Sequence, residues 1–155
     1  MHTGQSGVER GADCAARILN VPVAGFCSFE RRDELGALPP PIARDLIPCA
    51  QRGARSAQRD TLAAASAMLM IVPDVKRAST YPGITMLRAI ARKAGTPYWV
   101  VDPVADRSTL VIELRALAKD TIPLRLMVTG PRMTRWQEGM HRGRELVAEL
   151  WCATS

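Results

Sequence analysis

Met68-Leu69-Met70-Ile71-Val72 is an unbroken apolar run, preceded by an Ala-rich stretch over 54–67 and closed by Pro73-Asp74. A strand that is apolar at every position has no face to offer water, so both of its faces must be covered. Two further runs, 97–102 and 124–128, read as a buried strand and a last strand, and each follows a helix-favouring stretch. Between them, a helix runs to about Lys93 and stops at Gly95, and a second, capped by Asp106 or Ser108, runs to about Lys119. At the N-terminal end, Val8, Ala12, Ala15, Ala16 and Leu19 fall on one face of a helix over 7–19. Val21–Cys27 reads as a strand begun by Pro22. Pro39-Pro40-Pro41 predicts a stiff extended segment. Thr134 and Gln137 form a capping box for a last helix, with Trp136, Met140, Val147 and Leu150 along one side. Helix and covered strand thus alternate from end to end. This alternation implies an α/β fold over 1–155, a mostly parallel sheet of about five strands with helices on both faces.

Composition narrows the function classes. A chain of 155 residues with 47% hydrophobic and 23% charged residues is one ordinary soluble domain. No stretch approaches the ~20 apolar residues that a membrane span needs. The first residues lack the charged-then-apolar order of a signal peptide, so the expected location is cytoplasmic. Cys14, Cys27, Cys49 and Cys152 form no C-x-x-C pair, and His2 and His141 are the only histidines. Neither a disulfide framework nor a directly bound metal is expected. The net charge of +6, from 21 Lys+Arg against 15 Asp+Glu, favours an anionic partner. The arginines are interspersed with acids and aromatics are only 5%, so a small phosphorylated ligand fits better than nucleic acid.

The clearest candidate site opens the chain. In Thr3-Gly4-Gln5-Ser6-Gly7-Val8-Glu9-Arg10, two glycines allow a tight turn, and Ser6 with Glu9 matches the S-x-x-E capping box. A helix mouth of this kind presents free N–H groups and the positive end of the dipole, which together attract anions. Backbone N–H groups of Gly4 to Gly7 are expected to seat the anion, with Arg10 and Arg132 neutralising it. In open parallel sheets ligands lie beyond the carboxyl ends of the strands. Three Gly-containing loops, 3–7, 79–85 and 129–132, are expected there, converging on one crevice.

Three motifs in order resemble the molybdenum-cofactor carrier family, a SLOG-type Rossmann-like group distantly related to the LOG-type nucleotide phosphoribohydrolases. The family's opening G-G-Q-T-G-V-D-R-A-A-L-D is matched by Thr3-Gly4-Gln5-Ser6-Gly7-Val8-Glu9-Arg10-Gly11-Ala12-Asp13. Its G-W-C-P and R-R-x-E-D-G-x-I-P are matched by Gly25-Phe26-Cys27-Ser28 and by the stretch from Arg31-Arg32 to Pro39. Its closing A-G-P-R-x-S is matched by Thr129-Gly130-Pro131-Arg132-Met133-Thr134. The resemblance implies a cytoplasmic carrier, a dimer or tetramer. Its cargo would be the molybdenum cofactor, a phosphorylated pterin, or a nucleotide. Ligand-binding residues would be Gly4, Gln5, Ser6, Gly7, Arg10, Arg31, Arg32, Gly83, Thr85, Gly130 and Arg132, with no catalytic residue. The alternatives are a nucleotide hydrolase of the LOG type and a degenerate nucleotide-sensing module.

The chain departs from the pattern at four places. Pro82-Gly83-Ile84 stands where the family has G-G-T, which sets Thr85 one position late. Asp60 stands where the third helix usually carries Asn, and Ala64-Ala65-Ser66-Ala67 lacks an acid. Only Met1-His2-Thr3 precede Gly4, where a strand is usual; the short strand leaves an unpaired edge that would encourage self-association. The hydrolase loop P-G-G-x-G-T-x-x-E finds no glutamate in 82–88.

Other residues carry competing readings. Arg31 and Arg32 are either a clamp over an anion or an exposed loop run. Cys27 reads as an apolar filler at a strand end rather than a ligand, and Glu9 as a cap rather than a catalytic acid. Asp13, Glu34 and Asp102 are possible ribose or pterin contacts. Trp99, Trp136 and Trp151 read as core or oligomer contacts.

Overall fold

The computed structural model describes residues 1–154. In chain order the elements are α1 (Val8–Ile18), β1 (Phe26–Cys27), β2 (Arg32–Asp33), β3 (Gly36–Ala37), α2 (Pro40–Asp45), β4 (Ile47–Pro48) and α3 (Ala54–Ala64). There follow β5 (Ala67–Ile71), a 3₁₀ turn (Val75–Thr80), α4 (Pro82–Ala94), β6 (Tyr98–Val101), α5 (Ser108–Asp120), β7 (Leu126–Thr129) and α6 (Gly139–Thr154).

The apolar run around Leu69 is the centre of the molecule. β5 lies between β6 and β7, parallel to both, and every one of its residues is buried. Its side chains alternate between two cores, as the period of a strand requires. Leu69 and Ile71 join Val8, Ala12, Leu110, Leu114, Leu146 and Leu150 from α1, α5 and α6. Met68, Met70 and Val72 join Leu62, Ile84, Leu87 and Ala91 from α3 and α4. Helices therefore cover both faces of a parallel sheet, the Rossmann-like arrangement expected.

β1 and β4 form a second parallel pair. Residues 1–3 join it to the first. Met1 donates its ammonium to Leu126 O at 2.6 Å, Val128 N–H donates to Met1 O at 2.9 Å, and His2 N–H donates to Ala24 O at 3.1 Å. Burial pushes the Met1 ammonium down to about 6, partly offset by the Glu9 charge. The short first segment therefore fills an interior lane and leaves no edge there; the outer lanes are β6 and β4.

Several local expectations are revised. Pro40 and Pro41 open α2, with Pro39 as its extended N-cap. The first-turn N–H groups have no intrahelical acceptor, so proline loses nothing there. Regular pairing within 21–27 is confined to Phe26–Cys27, and the antiparallel hairpin β2–β3 arises inside the charged stretch 30–36. α4 begins at Pro82, which puts Gly83 and Thr85 in its first turn. β6 is only half-buried, as suits an outer strand. α6 begins at Gly139, and the Thr134 hydroxyl bonds Glu34 at 2.7 Å instead of capping a helix.

A candidate ligand cavity at the strand ends

The N-cap of α1 is Gly7, with no side-chain cap bond. Glu9 is not a cap. It is 1% exposed and its carboxylate is the hub of the first loop. Oε2 accepts from Thr3 N–H at 2.7 Å, the Thr3 hydroxyl at 2.6 Å and Gln5 N–H at 3.2 Å, and Oε1 accepts from the Thr129 hydroxyl at 2.8 Å. Gly4 N–H donates to His2 Nδ1 at 3.0 Å. His2 Nε2 then pairs with Asp13 at 3.1 Å, and Asp13 also receives Arg17 at 2.7 Å. Burial alone would raise the Asp13 carboxyl, but hydrogen bonds and charge from His2 and Arg17 outweigh it and hold it at about 2.

This wiring bears on two of the four backbone amides, Gly4 to Gly7, expected to seat an anion. The amides of Gly4 and Gln5 already have protein acceptors. Gly7 is fixed at φ 81°, and a Cβ there would stand 2.7 Å from Pro131 O. The 129–132 loop therefore closes directly over the helix mouth. Gly130 serves the same close packing, because a Cβ on it would strike Ile71 O and Val8.

Glu34, from the turn of the β2–β3 hairpin, completes that closure. It accepts from the Ser6 hydroxyl, from Thr134 N–H at 3.2 Å and from the Thr134 hydroxyl at 2.7 Å, with Arg132 4.0 Å away. Burial opposes its ionised form, but the Ser6 and Thr134 hydrogen bonds prevail and keep its carboxyl below the usual range. Next to it, Asp33 is paired with Arg10 at 2.7 Å. Arg10 thus holds the hairpin through Nη2, while its buried Nε has no hydrogen-bond partner among the described residues. Arg31 donates to Ala43 O at the end of α2 and is pinned rather than clamp-like. Arg32 is exposed and has no ion pair among the described residues.

Between this hairpin and the start of α3 lies a cavity of about 350 Å³, lined by Gln5, Ser28, Glu30, Arg32, Asp33, Glu34, Gly53, Ala54 and Arg132. Its volume is in the range of small-molecule sites. Gln5 follows the lane 1–3, Ser28 follows β1, Gly53 follows β4 and Arg132 follows β7, so the cavity stands beyond the carboxyl ends of the strands. Gln5 is 3% exposed, and its Oε1 is buried with no hydrogen-bond partner among the described residues. A larger groove of about 650 Å³ separates α5 from α6, but its cations are engaged: Arg107 by Glu149 and Pro103 O, Arg115 by Ala153 O.

Of the three expected loops, the first and last meet and the middle one does not. Gly83 faces the Gln58 side chain of α3 and the Thr85 hydroxyl donates to Ser79 O at 3.2 Å, so neither lines the cavity. Asp13 is sealed in its pairing with His2 and Arg17, and Asp102 accepts Val104 N–H within its own turn. Cys27 is a buried filler packed with Leu38, Ile42 and Leu46. Trp99 and Trp136 pack against the core. Sequence reading missed Ser28, Glu30, Asp33, Gly53 and Ala54. Gly53, at φ 89° ahead of an Ala-rich helix, was the available signal.

The sequence model of the circularly permutated YpsA SLOG family matches residues 1–151. The chain belongs to that family. Among solved structures, it resembles the "Putative molybdenum carrier protein" from Syntrophus aciditrophicus SB, at 16% identity and a TM-score of 0.80 over 99% of this chain and 91% of that one. A likeness this close in shape and distant in sequence shows a shared fold. No curated protein matches the chain. Among the described residues, no helix is long and apolar enough to cross a membrane, and no group of three or more His, Cys, Asp or Glu side chains is placed to hold a metal ion.

Proposed function

We propose that this SLOG domain is a carrier that holds a small phosphorylated ligand, a pterin such as the molybdenum cofactor or a nucleotide-like molecule, in the cavity beside Gln5. The observation that carries the reading is a cavity beyond the strand ends whose wall holds Gln5 and two cations, Arg32 and Arg132. Two guanidinium groups match the paired oxygens of a phosphate. Ser6, Gly7, Arg10 and Gly130 shape the site by holding the loops around it, and Gln5, Arg32 and Arg132 make the contacts. The resemblance to a molybdenum carrier supports the pterin; the size and polarity of the cavity suit a nucleotide equally. Isothermal titration with molybdopterin, AMP and inorganic phosphate tests the reading. A 1:1 complex with at least one, weakened about tenfold by Arg132→Ala, is the expected result; silence from all three rejects it. The same reading takes the carrier as a dimer or tetramer, and a monomeric mass by light scattering rejects that part.

A further inference from the structure

Folding sorts the charges of this chain onto one side of the sheet. Residues 50–96 hold eight Lys and Arg against two Asp, while the rest of the chain holds thirteen of each sign. The whole excess of six positive charges therefore belongs to this one stretch. Apart from the buried strand β5 it forms a single layer, in which α3, the 3₁₀ turn and α4 together cover Met68, Met70 and Val72. Arg55 and Arg59 on α3 are four residues apart, as are Arg88 and Arg92 on α4, so each pair shares one side of its helix. Lys76 and Arg77 on the turn and Lys93 at the end of α4 extend the set. All are exposed except the half-buried Arg88.

These cations are not answered within the molecule. Among the described residues, only Arg52 of the eight has a carboxylate within ion-pair reach, Glu30 at 3.7 Å. Arg92 donates to a neutral acceptor, the Tyr98 hydroxyl, at 3.3 Å. Asp74 is engaged in capping the 3₁₀ turn, where it accepts Lys76 N–H at 2.8 Å. The opposite layer neutralises itself: Arg107 pairs with Glu149 at 2.9 Å, and Arg142 with Glu145 at 3.3 Å. Uncompensated like charges repel one another and destabilise the compact state, and an external polyanion removes that repulsion.

The chemistry of the layer selects among polyanions. Six of its eight cations are arginine, whose planar fork matches two phosphate oxygens. An interface with another protein has an apolar core, and a helix lying on a bilayer buries an apolar face in it. Here the one large apolar side chain left exposed, among the described residues of the layer, is Val75. Interfaces with nucleic acid are instead polar and strongly positive. Tyr81 and Tyr98 are half-buried, so neither stands clear to stack on unpaired bases. The 13 residues of α4 span about 20 Å, a length over which a duplex presents about twelve phosphate charges.

We infer that the α3–α4 layer is a docking face for the phosphate backbone of a nucleic-acid duplex, without regard to base sequence. This goes beyond the carrier reading and does not depend on it, since none of Arg55, Arg59, Arg88 and Arg92 lines the ligand cavity.

The test is fluorescence anisotropy of a dye-bearing, mixed-sequence DNA duplex titrated with the full chain at a series of salt concentrations. With four arginines each on a phosphate, log K falls against log salt with a slope of about −3.6. Arg55→Gln with Arg59→Gln, and Arg88→Gln with Arg92→Gln, are each expected to weaken binding at least about tenfold. Each pair also makes the slope shallower by about 1.8. Glutamine is a good helix former, so Tm stays nearly unchanged. Lys119→Gln with Arg144→Gln removes the same charge from α5 and α6 and is expected to leave binding nearly unchanged. An equal loss in that control overturns the face, because net charge alone would then attract the duplex. Tighter binding to a single strand overturns the duplex. Tighter binding to phosphatidylserine vesicles or to polyglutamate, lost in the same arginine variants, overturns nucleic acid as the partner. No binding of the duplex at low salt rejects the proposal, whatever the cavity holds.

Discussion

The Thr129 hydroxyl donates to Glu9 Oε1 at 2.8 Å, joining the end of β7 to the first turn of α1 across almost the whole chain, with both residues buried. Glu9, on α1, thereby gathers four donors from two other segments, residues 3–5 and β7. A charged group is tolerated there because every bond it accepts comes from a fixed donor.

Glu9→Gln turns one acceptor into a donor that faces other donors. We expect a loss of about 1–3 kcal/mol in urea unfolding, with Glu9→Ala losing more. An unchanged midpoint would show that Glu9 does not hold the loop.

Acid sensitivity follows from Asp13. Its folded pKa of about 2 lies below the ordinary carboxylate value of about 3.9, so the unfolded chain binds the extra proton. The stabilisation is complete above about pH 4 and is lost as pH falls towards 2. Asp13→Asn is expected to flatten the unfolding free energy between pH 4 and pH 2 by on the order of 1–2 kcal/mol. Equal slopes for both proteins would contradict the pairing with His2 and Arg17.

Gly11 and Gly143 let α1 and α6 cross in backbone contact. A Cβ on Gly143 would stand 2.7 Å from Val8 O, and one on Gly11 would strike Met140 O. Gly11→Ala is expected to cost at least about 1–3 kcal/mol, although alanine is the better helix former. Thermal unfolding measures this, and a raised Tm would refute the close crossing.

Glu34 fastens the β2–β3 hairpin to Ser6 and Thr134. In Glu34→Ala, amide hydrogens over 31–38 should exchange at least several-fold faster, while β5 keeps its protection. Unchanged exchange in the hairpin would mean that Arg10 with Asp33 suffices to hold it.

The amino-acid sequence by itself determined the alternation of helices and covered strands. Met68–Val72 has no polar face, so burial on both sides follows from its side chains alone. The three motifs likewise identified the first and last loops as neighbours of the site. Residue identity did not decide which polar groups pair, because that depends on distances between segments far apart in the chain. Glu9 has the spacing of a cap, yet its carboxylate is taken by Thr129 and residues 3–5. Pro40 and Pro41 read as breakers until their place in a first turn removed the penalty. Arg10 and Arg132 look alike as cations, but one pairs with Asp33 of the hairpin while the other borders the cavity. Only the packing of β1, β4, β7 and residues 1–3 side by side created that cavity and set Gln5 in its wall.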